Sequence, residues 1–150
     1  MESPETNQLI KCFIVMIHYF GALPLFITQI IFGTQTQQYS SCDSFVGVSD
    51  WLIVQGSTAI GTAFFAMLLM AAINCKNTCQ TTFYRTMLYL SLIWQCVWQI
   101  VGSVMFWRDC LHLTPASTND LMWASLIIGH LLYLCAFAWL GRDEKEAFWL

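Results

Sequence analysis

Long apolar stretches alternate with short charged connections along the chain. Four stretches contain no Asp, Glu, Lys or Arg, namely residues 12–42, 51–75, 86–107 and 121–141. Each stretch is at least as long as the roughly 20 apolar residues that cross a hydrocarbon core. The pattern predicts four helices, at about residues 9–32, 51–73, 84–107 and 121–140.

The backbone requirements of a membrane decide between helices and strands. Lipid offers no hydrogen-bonding partner, so spanning segments are helices or closed barrels. Barrel strands alternate apolar and polar residues over about ten positions. The run Phe-Phe-Ala-Met-Leu-Leu-Met at residues 64–70 does not alternate. We therefore expect an all-α fold, an integral membrane four-helix bundle in which residues 1–150 form a single transmembrane domain.

Composition supports a membrane environment and excludes one class of partner. The 150 residues are 57% hydrophobic and only 10% charged, whereas soluble domains carry about 25% charged residues. Net charge is −3, with only six Lys and Arg residues. Nucleic acid is excluded as a partner, because phosphate binding needs clustered basic side chains. The lipid bilayer is the expected surrounding.

Basic residues predict the orientation of the bundle. One side carries most of them, and the other side carries only Arg108. Because Lys and Arg near helix ends favour the cytosolic side, both the N- and C-termini are predicted to be cytosolic, in the plasma membrane or a secretory-pathway membrane. The predicted cytosolic set is Lys11, Lys76, Arg85, Arg142 and Lys145. The outer loops are then residues 33–50 and 108–120, the inner loop is 74–83 and the cytosolic tail is 141–150.

The aromatic residues at the predicted helix ends suggest interface anchors. Trp51, Trp107 and Trp123 fall at the outer ends of the predicted helices. Amphipathic rings settle at membrane surfaces, so we expect these three residues in an outer aromatic belt.

The seven cysteines separate by compartment. Cys42 and Cys110 occupy the two predicted outer loops, on the oxidising side where disulfides persist. A disulfide between them is predicted, and two free thiols are the alternative. Cys75 and Cys79 lie at the inner surface and are candidates for palmitoylation, with unmodified thiols as the alternative. Two thiols without a neighbouring ligand do not complete a zinc site, so no metal is predicted.

Several polar side chains fall inside the predicted spans. We expect them to face the bundle interior, because lipid disfavours amides and imidazoles. One interpretation is a conduction or proton-relay path, and the other, which we favour, is interhelical hydrogen bonding. The mid-membrane polar layer comprises His18, Thr62, Gln95, Gln99 and His130, and Gln55 and Thr58 belong to the same polar stripe as Thr62.

Catalytic motifs are missing from the sequence. It contains no His-Glu-x-x-His, no Gly-x-Ser-x-Gly and no Gly-rich phosphate loop. We expect a non-enzymatic protein without a cofactor, an accessory or scaffolding subunit that binds other membrane proteins or a second copy of itself. The alternative is an oligomeric pore or transport component that uses the polar layer. The tail ends in Phe148-Trp149-Leu150, which suits either a cytosolic partner that captures the carboxylate or anchoring at the interface.

A family resemblance rests on short motifs. The motifs are Cys42-Asp43, Trp-Leu-Ile-Val-Gln-Gly at 51–56, Val-Gly-Ser-Val-Met-Phe-Trp at 101–107 with Cys110, and Leu-Met-Trp at 121–123. In these residues the chain resembles the transmembrane protein 272-like family of small four-pass proteins. The resemblance implies a tetraspan, multi-pass protein with no known catalysis, and it transfers no functional residue. Asp43 stands where the family usually has Pro, and Gln55 precedes a single Gly56 where a Gly pair is common.

Overall fold

The computed structural model describes residues 20–35, 42, 44–113 and 116–147, and only the backbone of residues 136–147. Within these residues the fold is all-helical, as predicted, and contains no strand. α2 and α3 are each long and apolar enough to cross a membrane. The described helices are α1 (Phe20–Gln35), α2 (Val48–Asn74), α3 (Thr78–Asp109) and α4 (Ala116–Ala147).

A tight turn joins α2 to α3, and the predicted inner loop at 74–83 is wrong. α3 begins at Thr78, because the Asn77 side chain caps it and accepts a hydrogen bond from the backbone N–H of Gln80 at 3.2 Å. Lys76 adopts a left-handed conformation with φ 52°, a common way to end a helix. The uncharged stretch therefore marks the apolar part of the helix, while the cap determines its first residue.

α4 also exceeds its predicted limits of 121–140, since it runs from Ala116 to Ala147. The connection before α4 is therefore shorter than the predicted outer loop at 108–120, and the helix continues into the predicted tail at 141–150. Residues 141–147 include Glu, Lys and Ala, which are strong helix formers, so the helix continues past the last apolar residue. Residues 148–150 lie outside the described part of the chain.

Neighbouring helices run antiparallel and approach closely at glycines. A Cβ added to Gly56 would lie 2.6 Å from the carbonyl oxygen of Phe26 in α1. A Cβ on Gly102 in α3 would overlap the indole ring of Trp51, and one on Gly129 in α4 would meet an α3 side chain at 2.5 Å. Small residues allow this approach in membrane-type helix packing. Each of the three consecutive helix pairs thus has a glycine at its contact.

Two apolar clusters fill the interior at opposite ends of the bundle. The turn-side cluster lies nearer the α2–α3 turn and consists of Ala22, Phe26, Ala59, Ala63, Ala66, Leu69, Leu88, Leu92 and Tyr133. The disulfide-side cluster consists of Val48, Trp51, Leu52, Met105, Phe106, Cys110, Leu113, Leu121, Met122 and Leu126. Along α2 and α3, buried glutamines separate the two clusters.

Trp51 is not a surface anchor, so its predicted place in the outer aromatic belt is wrong. Its side chain is 0% exposed. The Trp51 Nε1–H donates to the carbonyl oxygen of Trp98 at 3.0 Å, and the Trp98 Nε1–H donates to the carbonyl oxygen of Trp51 at 3.3 Å. These reciprocal bonds join α2 to α3. Trp107 and Trp123 do lie together, with ring centroids 5.1 Å apart.

Candidate functional site

Gln95 connects α3 to α2 in the middle of the interior. Its Nε2–H donates to the carbonyl oxygen of Thr58 at 2.9 Å and also contacts the hydroxyl of Thr62. That hydroxyl shares a further hydrogen bond with Ser91 of α3. Both Gln95 and Thr62 are 0% exposed. The structure therefore brings together two residues of the predicted polar layer, and both lie inside, as expected.

Gln99 connects α3 to α4 one turn further along. Its Nε2–H groups donate to the carbonyl oxygens of Ser125 at 3.1 Å and Leu126 at 3.0 Å. The side chain lies against Gly129, where a larger residue would displace it. Because both acceptors are backbone carbonyls of the facing helix, Gln99 holds α3 and α4 in a fixed register.

His130 lies at the edge of the polar layer and not in its interior. Its ring is exposed, and Nδ1 is 2.7 Å from the carbonyl oxygen of Leu126 and 3.5 Å from Nε2 of Gln99. His130 borders an open groove of about 420 Å³ between α3 and α4, lined also by Ser103, Trp107, Leu126, Ile127 and Leu131. His18, the remaining member of the predicted layer, lies outside the described residues.

Gln29 and Tyr133 are among the buried polar residues that were not singled out in the sequence. Gln29 of α1 is 1% exposed, and Tyr133 of α4 is 2% exposed. Gln55 donates from Nε2 to the Tyr133 hydroxyl at 2.6 Å and so links α2 to α4. The missed signal for Gln29 is its spacing, since Ala22, Phe26 and Gln29 recur every three or four residues on one buried face.

Four buried glutamines share an unusual property at their side-chain oxygens. No described residue donates a hydrogen bond to the Oε1 atom of any of the four. Each of these side chains is at most 1% exposed. Buried acceptors without a donor are rare in folded proteins. We call this set, Gln29, Gln55, Gln95 and Gln99, the glutamine layer.

The predicted disulfide is present between Cys42 and Cys110. Their Cα atoms are 5.5 Å apart and the residues are 68 positions apart in sequence. The bond joins the segment before α2 to the end of α3. Cys110 is buried in the disulfide-side cluster, so the bond closes that end of the α2–α3 pair.

Cys75 and Cys79 lie on either side of the α2–α3 turn, and both are exposed free cysteines. Exposure and position next to a candidate span are what acylation of a juxtamembrane cysteine requires. Their palmitoylation stays a prediction.

Comparison with known proteins adds no family to this description. No protein-family model, curated protein or solved structure matches the chain. The functional interpretation therefore depends on the helices, the glutamine layer and the cysteines.

Proposed function

We propose that the chain is a four-pass membrane protein with both termini in the cytosol. Antiparallel neighbouring helices and the apolar lengths of α2 and α3 support this. So does an outer surface of large apolar side chains, which lipid accepts and water does not. Residues at least 45% exposed include Phe64, Leu90, Ile93, Trp94, Val97, Ile100, Val104, Ile127, Leu131 and Leu134.

The protein acts as a non-enzymatic accessory or scaffolding subunit that binds other membrane proteins. One observation carries this proposal: Gln95 and Gln99 direct their amide N–H groups at backbone carbonyls of the neighbouring helices. Such bonds fix helix packing in membranes. A rigid bundle with an apolar exterior suits a protein that presents its surface to a partner.

The orientation is tested with native cysteines at the α2–α3 turn. A membrane-impermeant maleimide should not label Cys75 or Cys79 in intact cells, and should label them once the plasma membrane is permeabilised. Hydroxylamine treatment beforehand removes any thioester-linked acyl group, and a gain in labelling after it reports palmitoylation. The Cys75→Ser, Cys79→Ser double variant is the control. Labelling of these cysteines in intact cells would reverse the proposed topology.

Site-specific photo-cross-linking tests the accessory role. A cross-linking amino acid is placed in turn at the exposed positions Phe64, Trp94 and Leu134. An accessory subunit should form adducts with another protein from one face of the bundle and lipid adducts from the others. Lipid adducts alone at every position would contradict the role.

A second function, an oligomeric pore or transport component, is favoured by the unpaired oxygens of the glutamine layer. Polar interiors at membrane depth often mark a permeation path. Purified protein in liposomes should show no conductance if the accessory proposal is correct. A conductance that disappears in Gln95→Met and Gln99→Met, but persists in the lipid-facing control Trp94→Leu, would establish the second function instead.

A further inference from the structure

We infer that the glutamine layer binds a cluster of ordered water molecules inside the bundle. The four Oε1 atoms of the layer receive no hydrogen bond from the described residues, although their side chains are at most 1% exposed. The inference rests on the proposed membrane placement, because water inside the bundle can be distinguished from the surroundings only if those surroundings are lipid. It holds for either proposed function.

The hydrogen bonds made by the amide nitrogens show which side-chain atom of Gln95 and of Gln99 has no partner. Nε2 of Gln95 lies 2.9 Å from a backbone carbonyl oxygen, and Nε2 of Gln99 lies within 3.1 Å of two. A carbonyl oxygen only accepts, so turning either amide over would place two acceptors together. The unpaired atom at both positions is therefore an oxygen, and it requires a donor.

A closed circuit of contacts joins Gln55, Gln95 and Gln99, while Gln29 lies against Gly56, the residue that follows Gln55 in α2. Gln55 donates to Tyr133 of α4, and Gln99 lies against α4 about one turn away. Gln95 precedes Gln99 by one turn of α3 and donates to the carbonyl oxygen of Thr58, about one turn from Gln55. The circuit returns to its start through α2. The acceptors thus lie on neighbouring helices, between the two apolar clusters.

The chemistry of the layer selects water as its occupant. All four unpaired atoms are neutral acceptors, and a water molecule supplies two donors and needs two to four polar partners. Among the described residues, carboxylates lie at helix ends, at positions such as Asp50, Asp109 and Asp120. A divalent cation in the layer would therefore have no nearby anion to balance its charge, and burying an unbalanced charge is strongly unfavourable.

Water-edited solid-state NMR in lipid bilayers tests the inference on the unaltered protein. Glutamine and tryptophan side-chain nitrogens are labelled with ¹⁵N, and magnetisation is transferred from water. Gln80, exposed in the first turn of α3, is the wet reference, and the fully buried Nε1 of Trp51 is the dry reference. The Gln55, Gln95 and Gln99 signals should build up as early as the Gln80 signal. Build-up as late as that of Trp51 would overturn the inference.

A spin-labelled lipid separates this failure from failure of the membrane placement. In a second sample with ¹⁵N-labelled backbone amides, it should broaden the signals of Ile93 and Leu134, whose side chains are exposed on the outside of the bundle. If the Ile93 and Leu134 signals broaden while the glutamine signals build up as late as that of Trp51, the membrane placement stands and the water cluster is rejected. Early water build-up at Ile93 and Leu134 would reject the membrane placement itself.

A second measurement uses Gln29, whose replacement by Met keeps the length of the side chain and removes its amide, including the unpaired oxygen. If water binds that oxygen, Gln29→Met should lower the denaturation midpoint in a lipid bicelle by more than Leu25→Met does. Leu25 is the matched control because it is partly buried one turn earlier in α1. A higher midpoint for Gln29→Met would mean that the oxygen is dry, and would contradict the inference.

Discussion

Gly102→Ala is the substitution with the most direct structural consequence. The added Cβ would overlap the Cε2, Nε1 and Cζ2 atoms of Trp51. Trp51 is 0% exposed, and its Nε1–H is bonded to Trp98, so the ring has no free space into which it can turn. α2 and α3 must therefore move apart at this contact.

The size of the effect follows from three contributions. Overpacking a well-packed core costs about 1–3 kcal/mol. Displacing the indole also weakens its hydrogen bond to the carbonyl oxygen of Trp98, for a loss of about 1 kcal/mol. Alanine in place of a helical glycine returns about 0.5–1 kcal/mol. We expect Gly102→Ala to lower the free energy of unfolding by about 2 kcal/mol.

Reversible unfolding by SDS in bicelles, followed by circular dichroism, measures this change. Gly61→Ala is the matched control, because no described atom lies within 4 Å of a Cβ there, and it should be neutral or slightly stabilising. Gly129→Ala should also destabilise the protein, since its Cβ would displace the buried Gln99 amide from two backbone carbonyl acceptors. In a Trp51→Phe background the cost of Gly102→Ala should shrink. Equal effects of Gly102→Ala and Gly61→Ala would refute the reasoning.

Two further predictions concern single bonds. Cys42→Ala and Cys110→Ala should each destabilise the oxidised protein by about 4 kcal/mol, the loop-entropy value for a separation of 68 residues. The double variant should add little to either loss, because both substitutions remove the same bond. Additive losses in the same unfolding assay would mean that the two residues have independent packing roles. Tyr133→Phe should cost about 1–3 kcal/mol, because it leaves the buried Nε2 of Gln55 without its hydroxyl acceptor. The partly buried Tyr84→Phe is its control and should change stability by less than about 0.5 kcal/mol; similar losses for the two would contradict the role of that hydroxyl.

The sequence predicts where helices occur better than where they end. Charge-free stretches mark the apolar parts of the helices, whereas helix ends depend on local chemistry. Asn77 caps α3 within a predicted loop, and the helix formers in residues 141–147 extend α4. The Cys42–Cys110 bond was predictable because the inferred compartment left only these two cysteines in outer loops.

The sequence predicts how deep along its helix a polar residue lies, but not whether its side chain points into the bundle or outward. Thr62 and Gln95 lie inside as expected, yet His130 at similar depth lies at the edge of the layer. Trp51 is the first residue of an apolar stretch, which is typical of an interface anchor. Its burial depends on contact with Gly102, which is distant in sequence, so the local pattern does not reveal it. Gln29 is not part of the predicted polar layer, because that layer was defined by the helix midpoints and Gln29 lies near the end of the predicted first helix.

The disulfide and the tight turn together make α2 and α3 a ring. Cys42 precedes α2, Cys110 follows α3, and the α2–α3 turn closes the other end. A protease that cuts at the exposed Lys76 would produce two fragments that remain covalently joined, so the break would be silent on a non-reducing gel and visible only after reduction. Such nicked molecules would keep α2 and α3 paired, and cleavage at the turn would go undetected wherever the disulfide stays oxidised.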